Sequence, residues 1–181
     1  MPEPLAAEVV DEFQDLLLQR DKRAAREVAR AMGEVVSSLE DDVARVVEEA
    51  QGKGLSIRQI RKLSRYEQLL EFAKDRFDDF TKQASGIISA SQSRAAKIAA
   101  DNTRRAVDAA LPLGIDSDTL ARLGLQWNRL PDEALTNFVG ISGDGKPLRN
   151  LLTPLGQEST QGVIDGITEG IAKGWSPRKT A

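Results

Sequence analysis

Apolar residues recur every three or four positions along two long stretches of the chain, which is the period of an amphipathic α-helix. The first stretch, residues 5–51, contains no Pro and a single Gly, Gly33. The second, residues 57–111, also lacks Pro and contains a single Gly, Gly86. Because a charged run over residues 20–23 interrupts the first apolar stripe, that stretch predicts either two helices or one bent helix.

The segment between the two stretches carries the signals of a tight turn. Gly52-Lys53-Gly54 is typical of a helix C-cap followed by a turn, and Ser56 suits the N-cap of the next helix. Two long helices joined in this way form an antiparallel hairpin in the simplest topology. We therefore predict an all-α protein in which long antiparallel helices form an elongated hairpin or bundle. The apolar spacing is not a strict heptad, so it does not predict a regular coiled coil.

The composition changes at Pro112, and residues 112–181 hold five of the seven Pro residues. Strand signals there are weak, since only the segment Phe138–Ile141 has the composition of a strand. We predict a long-helix region over 1–111 and a small helical domain over 112–181. The short helices of that domain are expected at residues 117–129, 131–139, 147–154 and 158–173.

The chain contains no Cys and no His. This composition excludes disulfides, thiolate or imidazole zinc sites, cysteine nucleophiles and histidine-based catalytic triads. Carboxylate and lysine chemistry remain open, but the commonest general base is missing. We expect no catalytic site, no cofactor and no metal. We also expect no membrane span, and the first residues lack a secretory signal, which favours synthesis in a cytoplasm.

The net charge of −3 hides an uneven distribution along the chain. Residues 1–52 carry 13 acids and 6 bases, a net charge of −7. Residues 53–111 carry 7 acids and 12 bases, a net charge of +5, and residues 112–181 are close to neutral. The middle segment is therefore the part of the chain that would attract an anion.

Four basic residues in the middle segment have the spacing of one helical face. Arg58, Arg61, Lys62 and Arg65 lie at positions i, i+3, i+4 and i+7, and no acid occurs between Lys53 and Arg65. Such a stripe binds nucleic acid phosphates or an acidic protein surface. A merely solvated face is the slightly favoured alternative, because most charged stripes have no partner.

Glycines recur every four residues near the end of the chain, at Gly162, Gly166, Gly170 and Gly174. On a helix they form a smooth ridge that another backbone can approach closely, and packing within the chain is favoured over a contact between copies. We interpret Gly174 as a helix C-cap.

Two further patterns have simple structural explanations. Gly140–Lys146 matches the first seven positions of a nucleotide-binding P-loop, but Pro147 stands where a Ser or Thr should reach Mg²⁺. A turn is therefore the favoured interpretation. Acidic pairs such as Asp41-Asp42, Glu48-Glu49 and Asp78-Asp79 fall in the predicted helices, where neighbours point in different directions, and predict solvated carboxylates.

The last fifty residues contain a series of short motifs. The series begins with Leu130-Pro131-Asp132-Glu133-Ala134-Leu135 and Phe138-Val139-Gly140, and it continues with Asp144-Gly145-Lys146-Pro147-Leu148, Leu151-Leu152, Gly156, Gly166, Gly170-Ile171-Ala172-Lys173-Gly174 and Ser176-Pro177-Arg178-Lys179. In order and spacing the series resembles the Mu-F-like minor head proteins of tailed phages, also called the phage head-morphogenesis family.

The resemblance implies a virion component assembled in the host cytoplasm. Such a protein docks on the portal in several copies around a ring, contacts the portal and capsid proteins, and assists head assembly and DNA delivery. In that family a core domain follows the Ser-Pro-Arg element, and Ser176-Pro177 is also a helix-start signal. We therefore expect residues 112–181 to lead into a missing C-terminal core domain. A helical nucleic-acid-binding accessory protein and a scaffolding or coiled-coil adaptor remain the alternatives.

Overall fold

In the computed structural model, residues 6–110, 119, 122, 139–142 and 145–180 are described. Within these residues the fold is all-α, as the sequence predicts. The helices, in chain order, are α1 (Ala6–Gly52), α2 (Ile57–Ile60), α3 (Ser64–Ala110), α4 (Leu148–Ala172) and α5 (Pro177–Thr180). None of these described helices is long and apolar enough to cross a membrane.

The first long stretch forms one helix, α1, which runs through the charged residues 20–23 without a break. Arg and Lys have high helix propensity, and Arg23 pairs with Glu27 one turn later at 3.0 Å. The helix ends as predicted, because Gly54 adopts a φ of +59° and the Leu55 amide donates to the Ala50 carbonyl at 2.9 Å.

The second long stretch is not one helix, which corrects the prediction for residues 57–111. The short helix α2 ends at Ile60, and α3 begins at Ser64. Ile60 and Tyr66 are 2% and 5% exposed, yet on one helix they would point ~120° apart. The break at residues 61–63 turns both side chains into the same core.

The described chain divides into two compact units, which combine segments distant in sequence. Unit 1 contains residues 1–27 and 86–145, and unit 2 contains residues 28–85 and 146–181. The predicted division into 1–111 and 112–181 is a different partition, since the boundaries of the units fall inside both long helices.

In unit 1, α1 and α3 run antiparallel. Arg105 near the end of α3 pairs with Glu12 near the start of α1 at 2.8 Å. The side chain of Gln92 binds a distant turn twice, because it accepts from the Gly140 amide and donates to the Ile141 carbonyl, both at 2.8 Å. Val139 and Gly140 form a turn, so no strand forms over the described residues 139–141.

In unit 2, α1 and α3 again run antiparallel, and α4 packs against both. The predicted apolar stripe is confirmed for the part of α1 in unit 2, since Val35, Leu39, Val43, Val46 and Ala50 are all buried. They form one core with side chains from the other helices, namely Ile60, Tyr66, Leu69, Ala73, Phe77, Phe80, Ala84 and Ile167.

The C-terminal part of unit 2 departs from the sequence prediction. The helices predicted at 147–154 and 158–173 form the single helix α4, which continues through Pro154. Gly156 brings α4 close to α3, and a Cβ at this position would lie 3.2 Å from Thr81 Oγ1. The helix start predicted at Ser176-Pro177 is confirmed by α5. The helices predicted over 117–129 and 131–139 lie almost entirely outside the described residues.

Candidate anionic-partner interface in unit 2

The four residues of the predicted basic stripe lie on three different elements. Arg58 is in α2, Arg61 and Lys62 are in the turn after it, and Arg65 is in the first turn of α3. All four side chains are exposed. The predicted arrangement along one helical face is wrong because α2 ends at Ile60. The cations nevertheless stay together within eight consecutive residues.

One carboxylate, Glu49 of α1, neutralises part of this cluster. It accepts from Lys53 Nζ at 2.7 Å and from Arg65 Nη1 at 3.4 Å. The hydrogen bond from Lys53 is the main cause that holds the pKa of Glu49 below its usual 4.5, and the charges of Lys53 and Arg65 act in the same direction. The stabilisation from this carboxylate is therefore present above the unfolded pKa and is lost as the pH falls through the lowered folded pKa.

Replacing Glu49 with Gln should strengthen binding of an anion to this surface, because Lys53 and Arg65 then lose their carboxylate. We expect later elution from a heparin column, equivalent to roughly twofold tighter binding. Glu71→Gln is the matched control, since Glu71 is an exposed acid of α3 and makes no ion pair within the described residues. Equal shifts for both variants would show that only the net charge matters.

The structure adds a C-terminal segment to the cluster. Gln51 Nε2 of α1 donates to the Trp175 carbonyl at 2.6 Å. Lys173 Nζ and Lys179 Nζ lie 5.0 and 4.7 Å from the centroid of the Trp175 ring, within the range of a cation–π interaction. Arg61 lies beside Ile171 of α4, with which it lines a small cavity.

We call the resulting surface the basic end. Its residues are Lys53, Arg58, Arg61, Lys62, Arg65, Lys173, Arg178 and Lys179. Glu49 pairs with Lys53 and Arg65, and Glu169 pairs with Lys173. In the part of the chain that the structure describes, the other five cations have no carboxylate partner. Clustered cations without counter-charges repel one another, and an anionic partner relieves that repulsion.

Sequence reasoning missed the C-terminal contribution to this surface. The signal available was a Trp flanked by basic residues, at Lys173, Trp175, Arg178 and Lys179. Their proximity to the end of α1 was not visible, because the hydrogen bond that joins Gln51 to Trp175 spans 124 positions.

The glycine ridge is divided between two environments. A Cβ at Gly162 or Gly166 would meet no atom of the described residues within 4 Å, so these two do not hold described helices close together. Gly170 is buried against the Thr180 side chain of α5. Gly174 has a φ of +63°, and the next amide donates to the Gly170 carbonyl at 2.8 Å, which confirms the predicted C-cap.

Two described glycine amides of the glycine-rich loop already have hydrogen-bond partners. The Gly140 amide donates to Gln92, and the Gly145 amide donates to the Ser142 carbonyl at 2.9 Å. The turn interpretation therefore fits its described residues. No group of three or more carboxylates suited to a metal ion occurs among the described residues.

The comparisons with known proteins give no match. No family model matches the chain, and neither a curated protein nor a solved structure is significantly similar to it.

Proposed function

We propose that this chain is a minor head protein of a tailed phage, a structural component that docks on the portal ring through the basic end. The observation that carries the proposal is the group of five exposed cations without carboxylate partners in unit 2. The motifs over residues 130–179 support the choice of a portal as the partner, because they resemble those of the head-morphogenesis family. In this role the protein belongs to the virion, contacts portal and capsid proteins, and assists head assembly and DNA delivery.

The chemistry of the basic end favours recognition of a carboxylate-rich surface. Exposed ion pairs contribute little individually, so several must form together to give useful affinity. Arg58, Arg61 and Lys62 occupy consecutive short elements beside a buried core residue, Ile60. Their backbone is therefore held in place before a partner arrives, which reduces the entropy lost on binding.

Binding to nucleic acid is the second candidate function, and the same five cations favour it. Phosphates attract clustered Lys and Arg without regard to base sequence, and the affinity then falls steeply with salt. One experiment distinguishes binding to a portal from binding to nucleic acid, because a portal ring and a DNA duplex can be offered to the same protein.

The test is co-sedimentation of the protein with a purified portal ring from the same phage. In the test variant Arg58, Arg61, Lys62 and Arg65 are all changed to Gln. We expect its affinity to fall about 30-fold, since four exposed pairs at ~0.5 kcal/mol each amount to ~2 kcal/mol.

A matched control removes four exposed cations elsewhere, with Lys22, Arg26, Arg30 and Lys74 changed to Gln. Its affinity for the ring should stay near that of the wild type. Binding to DNA alone, with loss of that binding in the test variant, would replace the portal proposal by the nucleic-acid candidate. No difference between the two variants on either partner would show that these four cations are only solvated.

A further inference from the structure

One face of α4 carries apolar and small side chains toward solvent. Leu151 and Leu155 are 54% and 41% exposed, which is unusual for leucines of a packed helix. At 100° per residue, Leu151, Leu155, Gly162 and Gly166 fall within an arc of about 60°. The face therefore has a bulky half, with two leucines, and an empty half, with two glycines.

The empty half of this face borders a groove of about 430 Å³ in unit 2. Met32 and Val36 of α1 form the facing wall, and Val36 is 45% exposed. Each glycine within a helix costs up to ~1 kcal/mol of propensity relative to Ala. Gly162 and Gly166 gain no contact within the described chain. The contacts of a single copy therefore do not offset the helix propensity lost at these two glycines, and they do not fill the groove beside them.

We propose that a second copy of this chain fills the groove, through an antiparallel contact between the two α4 helices. Leu155 of each copy lies opposite Gly162 of the other, and Leu151 lies opposite Gly166. Both pairs are centred on the same point, between Glu158 and Ser159, so a single two-fold axis produces them together. A surface that is complementary to itself about one axis is what a closed dimer requires.

The helix dipoles favour an antiparallel contact between two copies of α4. In this arrangement the positive end of each dipole lies beside the negative end of the other.

The size of the contact makes the dimer weak. Two leucines and one groove from each copy bury on the order of 1,000 Å² in total, which is the lower end for specific interfaces. Glu158 lies next to the axis, close to Glu158 of the second copy, and the two negative charges repel each other. We therefore expect self-association in the micromolar range or weaker. The inference does not depend on the portal proposal, because it uses a different face of unit 2.

Cross-linking of the full chain tests the proposed axis directly. The chain has no Cys, so a single Cys introduced by Ser159→Cys reports one position. Ser159 lies beside the axis, and we expect a disulfide-linked dimer under mild oxidation. Thr153→Cys is the matched control, because Thr153 is exposed but lies on another side of α4. Equal cross-linking of both variants, or none in Ser159→Cys, would overturn the proposal.

Sedimentation equilibrium tests the pairing of leucines with glycines. The double substitution Gly162→Leu and Gly166→Leu should raise the helix stability of the monomer. It should also weaken self-association at least tenfold, because the new side chains occupy the space that the partner's leucines would fill. Leu151→Gln with Leu155→Gln should weaken it to a similar extent, and Glu158→Gln should strengthen it a few-fold. A chain that stays monomeric at millimolar concentration, or a dimer unaffected by the glycine changes, would contradict the inference.

Discussion

Replacing Phe77 with Ala should lower the free energy of unfolding by about 3–5 kcal/mol, the range measured for removal of large aromatic core residues. Phe77 is 3% exposed and belongs to the core of unit 2. It also lies against the position where α4 comes closest to α3, since its Cβ is 3.7 Å from a Cβ placed on Gly156. The substitution therefore opens a cavity between α1, α3 and α4, which the backbone can close only in part.

Urea unfolding followed by circular dichroism measures this effect. The control is Leu18→Ala, because Leu18 is 56% exposed and its truncation should change the free energy of unfolding by less than about 0.5 kcal/mol. A loss below 1 kcal/mol for Phe77→Ala would show that Phe77 does not belong to a close-packed core. Phe77 also lines the groove of the proposed dimer contact, so unfolding is measured at a concentration where the protein is monomeric.

Gly156→Leu should also destabilise the protein, by about 1–3 kcal/mol, although Leu is the better helix former. Gly156 is buried, and even a Cβ there lies 3.2 Å from Thr81 Oγ1 and 3.6 Å from the Phe77 carbonyl oxygen. Thr81 already donates to that carbonyl at 2.9 Å, so its hydroxyl has little freedom to move. A larger side chain must therefore push α4 away from α3.

The matched control is the same substitution at Gly162, on the same helix. A Cβ at Gly162 meets no atom within 4 Å in the part of the chain that the structure describes, so Gly162→Leu should raise the free energy of unfolding by up to ~1 kcal/mol. The two variants are compared by thermal or urea unfolding at a concentration where the protein is monomeric. Destabilisation of equal size at both positions would mean that the glycines act only through the flexibility of the chain.

These two glycines show why a spacing pattern is ambiguous. Gly156 stands outside the four-residue repeat and brings α4 close to α3. Within the repeat, Gly170 lies against Thr180 of α5, whereas a Cβ at Gly162 or Gly166 would meet no described atom within 4 Å. A glycine has no side chain to indicate its partner. Only the position of the neighbouring helix distinguishes a glycine that packs within the chain from one that is free to contact another chain.

The basic end shows a similar division. Arg58, Arg61, Lys62 and Arg65 were visible as an acid-free run of cations, and their exposure is confirmed. Their placement on one helical face was wrong, because the burial of both Ile60 and Tyr66 requires a break between them. Glu49 and the Lys residues around Trp175 join this surface only through contacts between segments remote in sequence.

The sequence by itself determined the helical class and most of the elements. Apolar residues at steps of three and four identify the buried side of α1, and Gly54 and Gly174 mark the ends of α1 and α4, because these signals act over a few neighbouring residues. Tertiary structure alone decided the rest. The fit between distant side chains decides whether α4 continues through Pro154 and where the helix between Ile57 and Ala110 breaks. It also decides which cations share a surface. Such packing energies outweigh the local preferences of Pro and of an uninterrupted apolar stripe, and they are absent from any short window of the sequence.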